Sequence, residues 1–326
     1  MRIAIVGAGA IGGTLAAILY NAGHRPTLIA RGRTLENLRT HGLTFIEKGT
    51  TTHSKVEATD DPATIGPQDL VIIATKAHQI EPALPNILPL IGPNSTVLPA
   101  INGIPWWFFQ GWGGTHANQI LEPVDPNGVL YRTFAPDQVL GCAVYLAANV
   151  GDPCTITSVG PRKLILGGVT KDAAIPVETI AELLKQAGIN AIPTPDIRAE
   201  VMNKLMGNLW ANPLSVVTRA TMTELCDDPG LMDISRGMMR EFEDLCGALN
   251  IELPISIEKR LQGAASLGDF RTSMLQDADR GRAIELEAIL GGVIAAANKV
   301  QVPCPTMQMV YALVRAHARS HGLLAN

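Results

Sequence analysis

Ile3-Ala4-Ile5-Val6-Gly7-Ala8-Gly9-Ala10-Ile11-Gly12 decides the fold of the N-terminal half. An apolar, partly β-branched run ended by glycine reads as a buried strand, and Thr14 to Tyr20 after it carries helix-forming residues. Ala22-Gly23-His24 supplies a glycine C-cap, and Thr27 to Ala30 is apolar again, so about 30 residues read as strand, turn, helix, strand. Gly7, Gly9 and Gly12 fit G-x-G-x-x-G in that context. The pattern needs glycine for a tight turn, for close approach of backbone to a pyrophosphate, and for close helix-to-strand packing. Free N–H groups and the positive end of the helix then meet the phosphates. Gly7, Ala8, Gly9, Ala10, Ile11 and Gly12 are therefore candidate cofactor contacts.

A unit of this kind that binds NAD places Asp or Glu about 20 residues beyond the glycines, where it accepts from the ribose 2′-hydroxyl. Here the second strand ends at Arg31, Arg33 follows, and no acid appears before Glu36. A carboxylate repels a 2′-phosphate, whereas a planar guanidinium binds one through two parallel hydrogen bonds. The sequence predicts NADP(H), with Arg31 as a contact. The same glycines argue against a leader or membrane span over Ile3 to Tyr20, because such segments are more continuously Leu, Ala and Val.

Working outward, the chain has 326 residues, 47% apolar and 17% charged, with a net charge of −4. That length suits two domains, and the apolar content suits a globular chain. The absence of a basic run excludes nucleic acid and anionic membranes as expected partners. Cys142, Cys154, Cys226, Cys246 and Cys304 show no CxxC spacing and no paired His, so no metal is expected. They read as small hydrophobes in a reducing cytoplasm. Further buried strands are expected at Leu70 to Thr75 and Thr96 to Ile101, and extra strands between Leu140 and Gly168. The sum is an α/β domain built on a parallel sheet. Beyond Ile192-Pro193-Thr194-Pro195 the period becomes helical, near 198–218, 230–249, 256–263, 282–300 and 306–321. The expected division is 1–194, a cofactor-binding domain, and 195–326, an all-helical substrate domain.

Lys204, Asn208 and Asn212 stand at i, i+4 and i+8 on one helical stripe, beside the apolar Val201, Leu205, Leu209 and Trp210. Lysine with two amides suits a polar cluster lining a cleft. A lysine stem snorkelling past apolar neighbours gives the same spacing.

The segment Ile197-Arg198-Ala199-Glu200, then Lys204-Leu205, Asn208 and Asn212-Pro213, together with Thr272-Ser273-Met274-Leu275-Gln276-Asp277 and Glu285, resembles the ketopantoate reductase (2-dehydropantoate 2-reductase) family. The glycine turn, Thr75-Lys76-Ala77 and Asn102-Gly103 fall where that family has its other motifs. The resemblance implies an N-terminal Rossmann-type domain and a helical C-terminal domain of the 6-phosphogluconate dehydrogenase-like type. It implies NADPH-dependent reduction of a 2-oxo acid, ketopantoate to (R)-pantoate on the route to pantothenate and coenzyme A, and a homodimer. By the same resemblance Lys204 is the proton donor, and Asn102, Lys204, Asn208, Asn212 and Ser273 bind substrate. Glu285 orients the lysine and approaches the cofactor, and Arg31, Lys76, Asn102 and Ala147 contact the cofactor.

The chemistry agrees with those roles. Hydride delivery to C2 leaves negative charge on the carbonyl oxygen, which an ammonium stabilises and then protonates. Two features depart from the family pattern. Met222-Thr223-Glu224-Leu225 stands where the family carries a further substrate-binding Asn before Gly-Glu-Leu. Ile104-Pro105-Trp106-Trp107-Phe108-Phe109 begins an insertion running to about Asp137. Its aromatic cluster suits either a pocket for a larger oxo acid or an exposed loop that packs on another domain or subunit. The alternatives to ketopantoate reduction are a sibling 2-oxo acid reductase of different specificity and a non-catalytic NADP sensor. Michaelis constants compared for NADPH and NADH check the cofactor reading: NADPH is expected to have the lower value, and a preference for NADH would overturn the role given to Arg31.

Overall fold

A computed structural model describes residues 1–151, 153–170 and 176–325. Two compact units make up the chain: Met1–Ile101 with Leu130–Ile197, and Asn102–Val129 with Arg198–Asn326. This differs from a single cut at 194/195, because Asn102–Val129 belongs with the helices. The segment shows no 3.6-residue pattern in sequence, yet it buries Trp106, Trp107, Phe108 and Phe109 almost completely. Arg198 donates to the carbonyls of Phe108 at 2.8 Å and Gln110 at 2.5 Å, pinning it to the helical unit.

The first unit begins with β1 (Ile3–Val6), α1 (Ala10–Asn21), β2 (Thr27–Ile29), α2 (Gly32–His41), β3 (Leu43–Glu47), β4 (Thr50–Ser54) and β5 (Glu57–Thr59). It continues with β6 (Leu70–Ile73), α3 (Ile80–Ile87), β7 (Thr96–Pro99), α4 (Val129–Thr133), β8 (Leu140–Tyr145) and β9 (Ala148–Gly151). β10 (Thr155–Ser158), β11 (Lys163–Gly168), α5 (Val177–Gln186) and β12 (Asn190–Pro193) complete it. Five strands form a parallel sheet in the order β5-β2-β1-β6-β7. β1, β6 and β7 are buried along their whole length, which explains their unbroken apolar sequence. Strand order reverses at β1, so the turn after β1 lies at the topological switch point, where open α/β sheets bind ligands.

The extra strands do not simply extend this sheet. The β3–β4 hairpin joins β10 and β9 in a second sheet, ordered β4-β3-β10-β9, on which α1 packs. The third sheet, β12-β11-β8, meets β7 where β8 packs beside it and Val97 bridges Val139 in parallel. Ile3, Ile5, Leu15, Leu19, Leu28, Ile72, Leu98 and Ile156 belong to one continuous core.

The second unit is helical: α6 (Ile197–Thr218), α7 (Met222–Asp227), α8 (Pro229–Ala248), α9 (Ile257–Ala265), α10 (Ser273–Asp279), α11 (Gly292–Lys299) and α12 (Pro305–Ser320). α7 and α10 are too short to show a period, and their caps define them. The Thr221 side chain accepts from the Glu224 N–H, while Glu224 accepts from the Thr221 N–H at 2.7 Å. Thr272 caps α10 by accepting from Leu275 N–H at 3.1 Å. The helix expected over 282–300 begins later, and Glu287–Gly291 forms a π-helical turn before α11. The extra residue in that turn leaves the apolar pattern nearly unchanged, so periodicity cannot reveal it.

α8 packs on α11 and α12 and buries Phe242 completely. Phe242→Ala is expected to cost about 3–5 kcal/mol, read as a lower urea midpoint with an unchanged slope.

Candidate active site

The glycine turn is built by contact. Gly7 has φ +102°, and a Cβ there would lie 3.0 Å from the Ala74 carbonyl oxygen. A Cβ on Gly12 would fall 1.9 Å from the Gly7 carbonyl oxygen, so only glycine lets α1 start this close to β1. Gly7 N–H donates to the Ile29 carbonyl at 3.1 Å, which ties the turn to the strand leading to Arg31.

Four observations fit this turn to a dinucleotide. No side chain caps the N-terminus of α1, and no acid stands in its first turn. A Cβ on Gly9 would meet nothing within 4 Å, so backbone there faces open space. The Thr75 hydroxyl, beside Gly7, is buried without a hydrogen-bond partner among the described residues. Arg31 is the exposed N-cap residue of α2, and Arg33 is exposed beside it, with no acid between them and the end of β2. Lys76 precedes a short 3₁₀ turn over Ala77–Gln79, and its N–H donates to Gln79 Oε1 at 3.2 Å. Ala147 directly precedes β9, the strand packed on α1, and its carbonyl accepts from Val159 N–H at 2.9 Å.

The other expected site residues lie in the helical unit. Lys204 Nζ donates to Asn102 Oδ1 at 2.6 Å, a short charge-assisted bond between partly buried groups. The 102 positions that separate the two residues in sequence hide this pair from any local pattern. Asn208 is half-buried one turn further along α6, and Asn212 follows with 5% exposure. Val201, Leu205, Leu209 and Trp210 bury the neighbouring stripe, and on the polar one Lys204 reaches Asn102. The lysine is thus held by a specific acceptor and does not merely snorkel past apolar neighbours.

Asn212 and Ser273 are coupled through the backbone. Leu275 N–H donates to Thr272 Oγ1, the Thr272 hydroxyl lies 2.7 Å from Ser215 Oγ, and Ser215 donates to the Asn212 carbonyl at 2.9 Å. Because Ser215 spends its proton on that carbonyl, Thr272 must donate to it. This buried chain fixes the start of α10, where Ser273 is exposed, against the middle of α6. Glu285 is half-buried, and its carbonyl accepts from Ile289 N–H at 3.1 Å at the entry to the π turn. Sequence reasoning missed Ser215 and Thr272 as supports; the cap signature Thr272-Ser273-Met274-Leu275 was the available signal.

The aromatic insertion is core and not an exposed loop. Phe108 and Phe109 meet edge to face at 5.1 Å, and Trp112 packs on both at 5.3 and 5.6 Å. The Arg198 guanidinium lies over Trp112 at 5.2 Å. Met222 is also buried, and its N–H donates to the Phe270 carbonyl at 2.9 Å. The cysteines form no disulfide among the described residues. Burial pushes the Cys246 thiol up to about 12, with Glu243 adding to it. Burial and Glu241 push that of Cys304 up to about 11. Both stay protonated at neutral pH, as inert core thiols do. Among the described residues no cluster of His, Cys, Asp and Glu could hold a metal, and no helix is long and apolar enough to cross a membrane.

A doubly wound nucleotide-binding unit followed by a helical unit bearing a held lysine is the layout of a nicotinamide-dependent oxidoreductase. Comparison with known proteins narrows the class. The model of the ketopantoate reductase PanE/ApbA family matches residues 3–171, and that of its C-terminal domain matches residues 196–318. The 2-dehydropantoate 2-reductase of Mesorhizobium japonicum is 39% identical over 323 residues, 99% of each chain. A candidate ketopantoate reductase from Ralstonia solanacearum MolK2 has a solved structure that superposes with a TM-score of 0.91 at 39% identity, covering 99% of both chains. D-mandelate dehydrogenase, solved with NADH and anilino(oxo)acetate, superposes with a TM-score of 0.85 over 99% of this chain and all of that one; at 22% identity it shows the fold alone. The chain belongs to the ketopantoate reductase PanE/ApbA family.

Removing the Lys204 acceptor leaves a partly buried ammonium short of one bond, worth about 1.5–3 kcal/mol for a charged donor. Asn102→Ala is therefore expected to lower turnover by roughly tenfold to a hundredfold. Asn102→Asp keeps an oxygen acceptor but adds a negative charge that holds the lysine's proton more firmly, so it too is expected to lower turnover in the same steady-state assay.

Proposed function

We propose that this chain reduces 2-dehydropantoate to (R)-pantoate with NADPH, with Lys204 as the proton donor. The observation that carries this reading is the Lys204 ammonium held at 2.6 Å by Asn102 Oδ1, on a helix stripe shared with Asn208 and Asn212. When bound, NADPH would supply a hydride for C2 of the 2-oxo acid. Gly7 to Gly12 would hold its pyrophosphate, Arg31 its 2′-phosphate, and Lys76, Asn102, Ala147 and Glu285 further parts of the cofactor.

Lys204 carries the rest of the chemistry. As C2 gains the hydride, its oxygen becomes an alkoxide, and an ammonium within hydrogen-bond reach lowers the energy of that charge. Lys204 Nζ then transfers a proton to the oxygen and regains one from solvent. Asn102 holds the ammonium without a fixed negative charge, so the proton remains available for transfer. Glu285 favours the charged form of the lysine against desolvation. Asn208 and Asn212 offer both donors and acceptors to the substrate's hydroxyl and carbonyl groups, and Ser273 offers a hydroxyl to its carboxylate.

Met222 favours a second reading. Buried where the family resemblance implies a substrate-binding amide, it offers no partner to a substrate hydroxyl, which suits the same chemistry on a 2-oxo acid lacking that group. The cysteines, which form no disulfide among the described residues, fit a cytoplasmic location. The assembly we propose is a homodimer, for which exposed Met309 and Leu313, one turn apart on α12, supply apolar surface.

NADPH oxidation with a panel of 2-oxo acids tests these readings together. Ketopantoate is expected to give the highest kcat/KM, and activity confined to acids without the hydroxyl would replace it with the second reading. Lys204→Ala should lower turnover by a factor on the order of 100 or more with NADPH affinity retained. Unchanged turnover in that variant would remove Lys204 from the mechanism.

A further inference from the structure

Asn102 reaches Lys204 through only two side-chain torsions, so the position of its amide oxygen is set by the backbone that carries it. That backbone is clamped at the next two residues. Gly103 has φ +87°, and a Cβ there would lie 2.3 Å from the Ala288 carbonyl oxygen and 2.5 Å from the carbonyl carbon. Ile104 N–H donates to the same Ala288 oxygen at 2.8 Å. Two consecutive residues thus rest on one peptide group.

Ala288 lies inside the π-helical turn Glu287–Gly291, where hydrogen bonding shifts to i→i+5, as the Gly292 N–H to Glu287 carbonyl bond shows. Glu285 stands three residues before Ala288 and bonds into the same turn. The acceptor of Lys204 and the acid proposed to support its charge therefore hang from one junction.

We infer that the Gly103–Ala288 junction is a positioning device that sets the Asn102 oxygen, and the Glu285 segment with it, for proton transfer from Lys204. The inference rests on the reading of Lys204 as proton donor. A Cβ at position 103 must move away by about 1 Å to reach ordinary contact with the Ala288 carbonyl. A shift of that size along the Lys204–Asn102 bond takes it from 2.6 Å to about 3.6 Å, which is no longer a hydrogen bond. Neither Gly103 nor Ala288 touches the reacting atoms in this account; both act through Asn102.

Gly103→Ala and Ala288→Val press on the junction from opposite sides, the second without altering a positive-φ residue. Both are measured for kcat, KM for the 2-oxo acid, NADPH binding by fluorescence, the solvent deuterium isotope effect on kcat, and thermal unfolding. The expected result in each is a kcat lower by roughly tenfold to a hundredfold, NADPH affinity within about twofold of wild type, and a larger isotope effect as proton transfer becomes limiting. Lys204→Ala is run in parallel. If Lys204→Ala keeps its turnover, the proton-donor reading falls and this inference with it. If Lys204→Ala is inactive while both junction variants keep wild-type kcat and isotope effect, the junction inference alone is overturned. Parallel loss of kcat and NADPH affinity, or failure of both variants to fold, makes the junction a folding element and also overturns it.

Discussion

An ammonium lifted partly out of water has three N–H donors and must find oxygen for them. In this chain Asn102 supplies one acceptor to Lys204. A carboxylate there would bind the lysine more tightly and hold its proton more firmly; an apolar group would drive the lysine toward its neutral form. In the proposed reaction the amide oxygen would keep the charge while leaving the proton transferable. Much of the helical unit serves that one bond. α6 runs 22 residues, long enough to carry Lys204, Asn208 and Asn212 on one stripe while Val201, Leu205 and Leu209 anchor the next. Arg198 at its start pins the segment that brings Asn102, and Ser215 near its end ties it through Thr272 to α10.

The first unit obeys a constraint of a different kind, closeness of backbone. Gly12 lets α1 begin against the Gly7 carbonyl, and the helix N-terminus is left without a capping side chain or acid. A bare helix N-terminus has unsatisfied N–H groups and a positive field, which an anion satisfies. The exposed Arg31 and Arg33 extend that positive field beyond the end of β2. In the proposed reaction the first unit would recognise phosphates by backbone and the second would manage a proton by side chain.

What was legible in the sequence follows the range of the forces involved. The turn from Gly7 to Gly12 was legible because its strand, glycines and helix are contiguous. The stripe of Lys204, Asn208 and Asn212 was legible because helical spacing is local. The β3–β4 hairpin was not, since the run Thr50-Thr51-Thr52-His53 carries no apolar alternation and its partner strand β3 pairs with β10 from far along the chain. The place of Asn102–Val129 among the helices was hidden because aromatic burial there depends on distant partners such as Arg198. Ser273 and Glu285 stood out only through family resemblance, as single residues with no period to mark them. The π turn was illegible because one extra residue in a helical turn leaves no compositional trace.

The central claim is that Lys204 delivers the proton to the oxygen on C2. The most direct measurement is a crystal structure of the ternary complex with NADP⁺ and the 2-hydroxy acid product. The account predicts Lys204 Nζ within about 3 Å of the C2 hydroxyl oxygen while still bonded to Asn102. A C2 hydroxyl held by other groups, with Lys204 turned away from it, would contradict the account.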